Sequence, residues 1–200
     1  MIQISMTEFV DFVTKAGPPR LTVVKHVKER HEEKYDPKTD FYKKLRDGIV
    51  HHHQNGQPKS DLDAVARGVT DKNKIKTYPI LIQAYKRFLG NKKITWFKPT
   101  KTTWDHGNLS VNVNPELGLS INGVQHLVKL YFKADKLTKS QLQAILHLMQ
   151  LELTQAKNPS SLCVLDVRNC KLHTAGQFDK ALTALVEGEA KAFASMYAAL

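Results

Sequence analysis

Glu116 and Lys129 are the pair of residues in this chain with the clearest route to shared chemistry. They flank Asn122-Gly123, the dipeptide that most strongly marks a two-residue hairpin, because both residues accept positive φ. If these two form the loop, facing positions sum to 245. Ile121 then faces Val124, Ser120 faces Gln125 and Glu116 faces Lys129. Strand alternation places Glu116, Ser120, Gln125, Lys129, Tyr131 and Lys133 on one side. Leu117, Leu119, Ile121, Val124, Val128, Leu130 and Phe132 form the other, expected to be the core side. A carboxylate and an ammonium group thus meet across neighbouring strands. Such a pair serves as an ordinary cross-strand ion pair or as the charged centre of a catalytic site, and Glu116 and Lys129 are the candidate catalytic residues.

A second feature is positive charge. The net charge is +11, and Lys72 to Lys101 contains nine Lys or Arg residues with no Asp or Glu. Such a field draws polyanions, nucleic acid first among them. Lys72, Lys74, Lys76, Lys86, Arg87, Lys92, Lys93, Lys98 and Lys101 interleave with Tyr78, Tyr85, Phe88, Trp96 and Phe97. Ammonium groups contact phosphates while exposed rings stack on bases. Helical spacing assigns Tyr85 and Phe88 to a core. Trp96 and Phe97 point to opposite faces of a strand, so Trp96 joins the nucleic-acid candidates, as does Lys133. An acidic protein is the alternative partner for the same charge.

Other constellations are weaker. Trp104-Asp105-His106-Gly107 sets an acid beside a histidine, as a metal ligand or general base or as plain turn chemistry. His51-His52-His53 cannot form one ligand set on a helix, since adjacent residues point in different directions. A turn at Asn169-Cys170 would set Asp166 opposite His173. Cys163 and Cys170 read as reduced thiols.

The elements that position these residues follow from periodicity. Ser5-Met-Thr-Glu8 is a capping box for a short helix, ended by Gly17-Pro18-Pro19. A second helix is expected from Leu21 to Lys34, stopped by Asp36-Pro37. A third is capped by Thr39 and carries Phe41, Leu45 and Ile49. A fourth opens at Ser60, and a fifth has Pro79 in its first turn. Strands are expected at Ile94–Phe97, Thr102–Trp104, Leu109–Val113, Leu117–Ile121 and Val124–Lys133. Thr138-Lys-Ser-Gln141 caps a helix, the apolar run Ser161–Val167 reads as a central strand, Lys171–Thr174 as a short one, and a helix from Phe178 closes the chain. The fold class is α+β: a helical region over residues 1–90, then a mixed sheet domain with an α/β core over residues 91–200, the two forming separate units or one compact body.

With an acid near one strand, lysine on the next, a helix and then an apolar strand, residues 92–175 resemble the core of PD-(D/E)xK nucleases. The resemblance implies that Asn114-Pro115-Glu116 occupies the acidic position and Lys129 or Lys133 the lysine. A divalent metal such as magnesium would be held by Glu116 with Asp105, Gln125 or Asp135, since Leu127 and Tyr131 stand where that family has a carboxylate. The chain is also similar to an uncharacterised bacterial family with Trp-Phe, Trp-x-His-Gly, Asn-Pro-Glu-Leu-Gly-Leu and Lys-Leu-Tyr-Phe-Lys-Ala motifs. Here these are Trp96-Phe97, Trp104 to Gly107, Asn114 to Leu119 and Lys129 to Ala134.

The functional expectation is a nucleic-acid-binding protein on a nuclease-like core, with a metal-dependent nuclease and a protein-interaction module as alternatives. The N-terminal residues do not read as a signal peptide, and no apolar run approaches the length of a membrane span. A cytoplasmic protein with no membrane partner is therefore expected.

Overall fold

The computed structural model describes residues 1–32, 40–154 and 160–200. The expected helix end at Asp36-Pro37 and the Thr39 cap lie outside the described residues. The elements run β1 Ile2–Ser5, α1 Met6–Val13, α2 Pro18–Glu32, α3 Lys43–Gln54, a 3-10 segment Lys59–Ala66, α4 Lys72–Leu89, β2 Ile94–Phe97, β3 Thr102–His106, β4 Leu109–Val113, β5 Leu117–Ile121, β6 Val124–Tyr131, α5 Lys139–Leu153, β7 Ser161–Asp166, β8 Lys171–Thr174 and α6 Lys180–Ala199. The protein is α+β, with its helices concentrated in the first half.

Two sheets form. One has the order β2-β5-β6-β7-β8 and the other β1-β4-β3. The β5–β6 hairpin has the expected register, Ile121 against Val124 through Leu117 against Val128. Its tip takes φ of 51° at Asn122 and 89° at Gly123. The Asn122 side chain accepts from the Lys93 amide at 3.0 Å, which ties the tip to the approach of β2. Helix α5 then carries the chain across to β7, which runs parallel to β6, as a crossover of that length requires.

The five-stranded sheet is buried on both faces. Leu117, Leu119, Val128, Leu130, Phe132, Cys163 and Leu165 join α3, the 3-10 segment and α4 in one core. Leu127, Tyr131, Leu162 and Val164 join α1, α2, α5, α6 and the three-stranded sheet in the other. Both cores draw residues from either side of residue 90. Among the described residues, the face that carries Lys129 is thus covered as well, by α1, α5 and the smaller sheet.

Other local expectations shift for physical reasons. Strand β1 has no local signal, since its four residues are stabilised by parallel pairing with β4, Ile2 opposite Leu109. Helix α4 starts a full two turns before Pro79, because Asp71 caps it by accepting from the amides of Asn73 and Lys74. Pro79 is thus interior, with its ring on the exposed side. The fourth expected helix is a 3-10 segment. Strand β6 stops at Tyr131, two residues early. At the last hairpin Asp166 faces Lys171, and His173 faces Val164. The loop there has four residues, closed by the Cys170 amide on the Val167 carbonyl at 3.2 Å, with Cys170 at φ 54°. Asp166 instead accepts from the Asn169 backbone and side-chain amides.

Candidate functional site

The Asn-Gly register brings Glu116 and Lys129 together. Lys129 Nζ donates to Glu116 Oε1 at 2.6 Å, and Glu116 Oε2 accepts from the Leu130 amide at 2.8 Å. The ammonium group also lies 3.3 Å from both the carbonyl and the side-chain oxygen of Asn114. Lys129 is only 9% exposed. The pair is therefore a buried, hydrogen-bonded ion pair, and each carboxylate oxygen already has a donor. Breaking such a pair at one end costs several kcal/mol, whereas an exposed pair contributes little.

Glu116 and Lys129 stand at the side of a cleft of about 840 Å³. Its far wall is α3. Arg46, Asp47, Val50, His51 and Gln54 recur along one side of that helix, next to the stripe of Leu45, Ile49 and His52 that faces the core. The Arg46 guanidinium donates to Asp40 at 2.7 Å. Burial opposes its charge, but Asp40, Glu116 and Asp47 outweigh that cost and hold it above the usual arginine range. Lys133, at the exit of β6, binds both oxygens of Asp11 at 2.9 and 2.8 Å. Most charges of this cleft are thus mutually neutralised.

Two further hollows continue it. One, of about 450 Å³, is lined by Val50, Gln54, Trp96, Lys98, Pro99, Thr100, Lys101 and Glu116. The other, of about 470 Å³, shares Gln54 and Trp96 and reaches His53, Lys59 and Lys92. Together the three make a groove between α3 and the edge strand β2 with its following linker. Glu116 is the only acidic residue among the described residues lining these last two hollows. Positive charge is less balanced here than in the first cleft.

The basic stretch divides into two groups. Lys92, Trp96, Lys98 and Lys101 line the groove. Lys92 and Lys59 donate to the Phe88 and Gly90 carbonyls, neutralising the negative end of α4. Lys98 and Lys101 are exposed. Lys93, also exposed, sits beside the hairpin tip. The remaining residues lie on α4, away from the groove. Lys86 pairs with Asp63 at 2.6 Å, Lys74 lies 5.6 Å over the Phe41 ring, and Lys72, Lys76 and Arg87 are exposed. Tyr85 and Phe88 are core residues, as their spacing requires.

Asp105 does not join Glu116. It sits on β3 opposite Ser110, because β3 pairs with β4 in the smaller sheet and not with β5. It does not line the cleft. Its charge, second to burial, raises the Glu152 carboxyl on α5. Leu127 is buried in the core, and the Tyr131 hydroxyl donates to the Asp135 carbonyl at 2.8 Å. Gln125 is exposed near the hairpin tip. Among the described residues, no three His, Cys, Asp or Glu side chains are grouped to hold a metal ion. One carboxylate already engaged by lysine and a backbone amide is a poor fit for a divalent metal, which needs several oxygen ligands.

No family model, curated protein or solved structure matches the chain.

The three histidines of α3 do diverge. His51 lines the cleft, His52 is buried, and His53 shares a 2.6 Å hydrogen bond with the Tyr85 hydroxyl. Burial, and then its neighbour His52, push the His53 imidazole down to about 4. Burial also raises the Tyr85 hydroxyl. Sequence reasoning missed Asp11, Arg46 and Gln54. The recurrence of Asp47, Val50, His51 and Gln54 at helical spacing was the available signal for the α3 wall. Nothing local marks Asp11 as the partner of Lys133. Among the described residues no helix is long and apolar enough to cross a membrane.

Proposed function

We propose that this protein binds nucleic acid along the groove between α3 and the β2–β3 linker, without cleaving it. The observation that carries this reading is the pairing of Lys98 and Lys101 with Trp96 along one groove that has a single acidic side chain in that part. Cations reach phosphates and a half-buried ring offers a surface to a base. The α4 lysines contribute long-range attraction and not contact. Glu116 and Lys129 hold the cleft wall together. A metal-dependent nuclease is disfavoured because Leu127 and Tyr131 offer no carboxylate and Asp105 stands elsewhere.

The test is binding of labelled single-stranded and duplex oligonucleotides to the full chain at several salt concentrations. Affinity is expected to fall steeply with salt, and charge reversal at Lys98 and Lys101 to weaken it. Salt-insensitive binding, or none, contradicts the proposal.

A second reading has its own observation. On α4, Ile75 and Ile80 are 51% and 58% exposed, flanked by exposed Lys72, Lys76 and Arg87. Apolar side chains inside a cationic frame suit an acidic protein segment. Co-purification with such a partner, abolished by Ile80→Glu and unaffected by nuclease treatment, would favour it.

A further inference from the structure

We infer that the groove accepts single-stranded nucleic acid with one base seated against Trp96, an inference that rests on the nucleic-acid reading above. The hollow of about 450 Å³ beside this ring combines three kinds of surface. Trp96, Val50 and Pro99 supply apolar wall. Gln54 supplies an amide that both donates and accepts. Lys98 and Lys101 supply ammonium groups. A nucleotide has the matching parts: a flat apolar face, an edge of donors and acceptors, and an anionic phosphate joined by a short flexible link.

The fold holds these parts in place. Strand β2 is the edge of its sheet, with Trp96 opposite Leu119. Helix α3 packs against β2, so the indole is clamped between helix and sheet, yet it still lines hollows on both sides. Buried Pro99 stiffens the linker that presents Lys98 and Lys101. Among the described residues neither lysine has a hydrogen bond or ion pair with the protein. The indole N–H is buried with no hydrogen-bond partner, although buried tryptophan N–H groups usually find one. The protein thus leaves two exposed ammonium groups unmet beside the half-buried ring.

Strand form follows from access. In a duplex, base faces are covered by stacking and base edges by pairing. Trp96 lies half-buried between α3 and the linker, so only an unpaired base can reach its face. Trp96 therefore selects the strand, and Lys98 and Lys101 hold its backbone.

The chain has two tryptophans, and the other, Trp104, is buried against Phe9. Intrinsic fluorescence can therefore report on Trp96. A short oligodeoxythymidine is titrated into the full chain, alongside a duplex of the same length, with fluorescence anisotropy of the labelled oligonucleotides as a second readout. The single strand is expected to quench the emission and to bind on the order of tenfold more tightly than the duplex. Trp96→Ala should lose on the order of tenfold in single-strand affinity, Trp96→Phe should keep most of it, and both variants should lose the quench. The Phe variant preserves the packing if the Ala variant unfolds. Binding without quenching, or equal affinity for duplex, overturns this inference while leaving nucleic-acid binding intact. Equal quenching by polyglutamate also overturns it, since no base would be needed. Failure of every oligonucleotide to bind overturns both readings.

Discussion

Lys129 Nζ and Glu116 Oε1 lie 2.6 Å apart, with both side chains 11% exposed, and this contact joins the two strands of the hairpin where the groove begins. A lysine on a sheet buried on both faces is tolerable only with its charge answered. The carboxylate, the Asn114 oxygens and the Leu130 amide form a closed set of donors and acceptors. That set suits a structural lock better than a reacting centre.

The lock predicts strong coupling. Glu116→Ala and Lys129→Ala should each destabilise the fold by about 3–5 kcal/mol, since each strands a buried charge. Replacing both with Leu and Met should recover much of the loss. Urea denaturation of the single and double variants measures this, and additive losses would contradict a buried coupled pair.

A related expectation concerns chemistry. Purified protein should leave single-stranded and duplex DNA and RNA uncut in magnesium or manganese, as followed on denaturing gels. Cleavage that disappears in Glu116→Gln would show that the carboxylate does more than hold Lys129.

Stability should depend on pH through the histidine beside Tyr85. The folded state keeps His53 neutral down to about 4, below its ordinary 6.5. Between those values the unfolded chain binds the extra proton, so stability falls as pH drops from about 6.5 to about 4. His52, His126 and His147 are shifted down as well, chiefly by burial, and act in the same direction. Thermal melts across this range should show a lower Tm in acid, with a shallower slope in His53→Gln. An unchanged slope in that variant would exclude His53 as a contributor.

Gly118 tests the packing under β2. It faces Phe97 across the β2–β5 ladder, and an added Cβ would collide with the Phe97 carbonyl and ring. Gly118→Ala should therefore cost about 1–3 kcal/mol and loosen the strand that carries Trp96. Wild-type stability in this variant would contradict the close approach.

Much of the fold was readable because its signals are local. Asn122-Gly123 set a hairpin register that holds to the residue, and Thr138 with Gln141 capped α5 as expected. What escaped depends on partners distant in sequence. Ile2–Ser5 becomes a strand only because Leu109–Asn112 lies beside it. The burial of Lys129 depends on α1, α5 and the smaller sheet covering a face that the hairpin alone leaves open. For the candidate site, the Glu116–Lys129 pairing came from counting register, and the placement of Trp96 and Phe97 on opposite faces of β2 from strand alternation. Asp105 was misplaced because linear proximity to Glu116 cannot say which sheet a strand joins. The division of the lysines between α4 and the groove needed the helix axis to be fixed in space.

The most direct measurement is the affinity of the full chain for a labelled oligonucleotide as salt is raised, compared with Lys98→Glu/Lys101→Glu and Lys72→Glu/Lys76→Glu. Nucleic-acid binding in the groove predicts that log affinity falls linearly with log salt, with a slope reduced by about one for each phosphate-binding lysine removed. The groove pair should show that reduction and the α4 pair should not. Binding that ignores salt, or that the α4 substitutions abolish while the groove substitutions spare it, would contradict it.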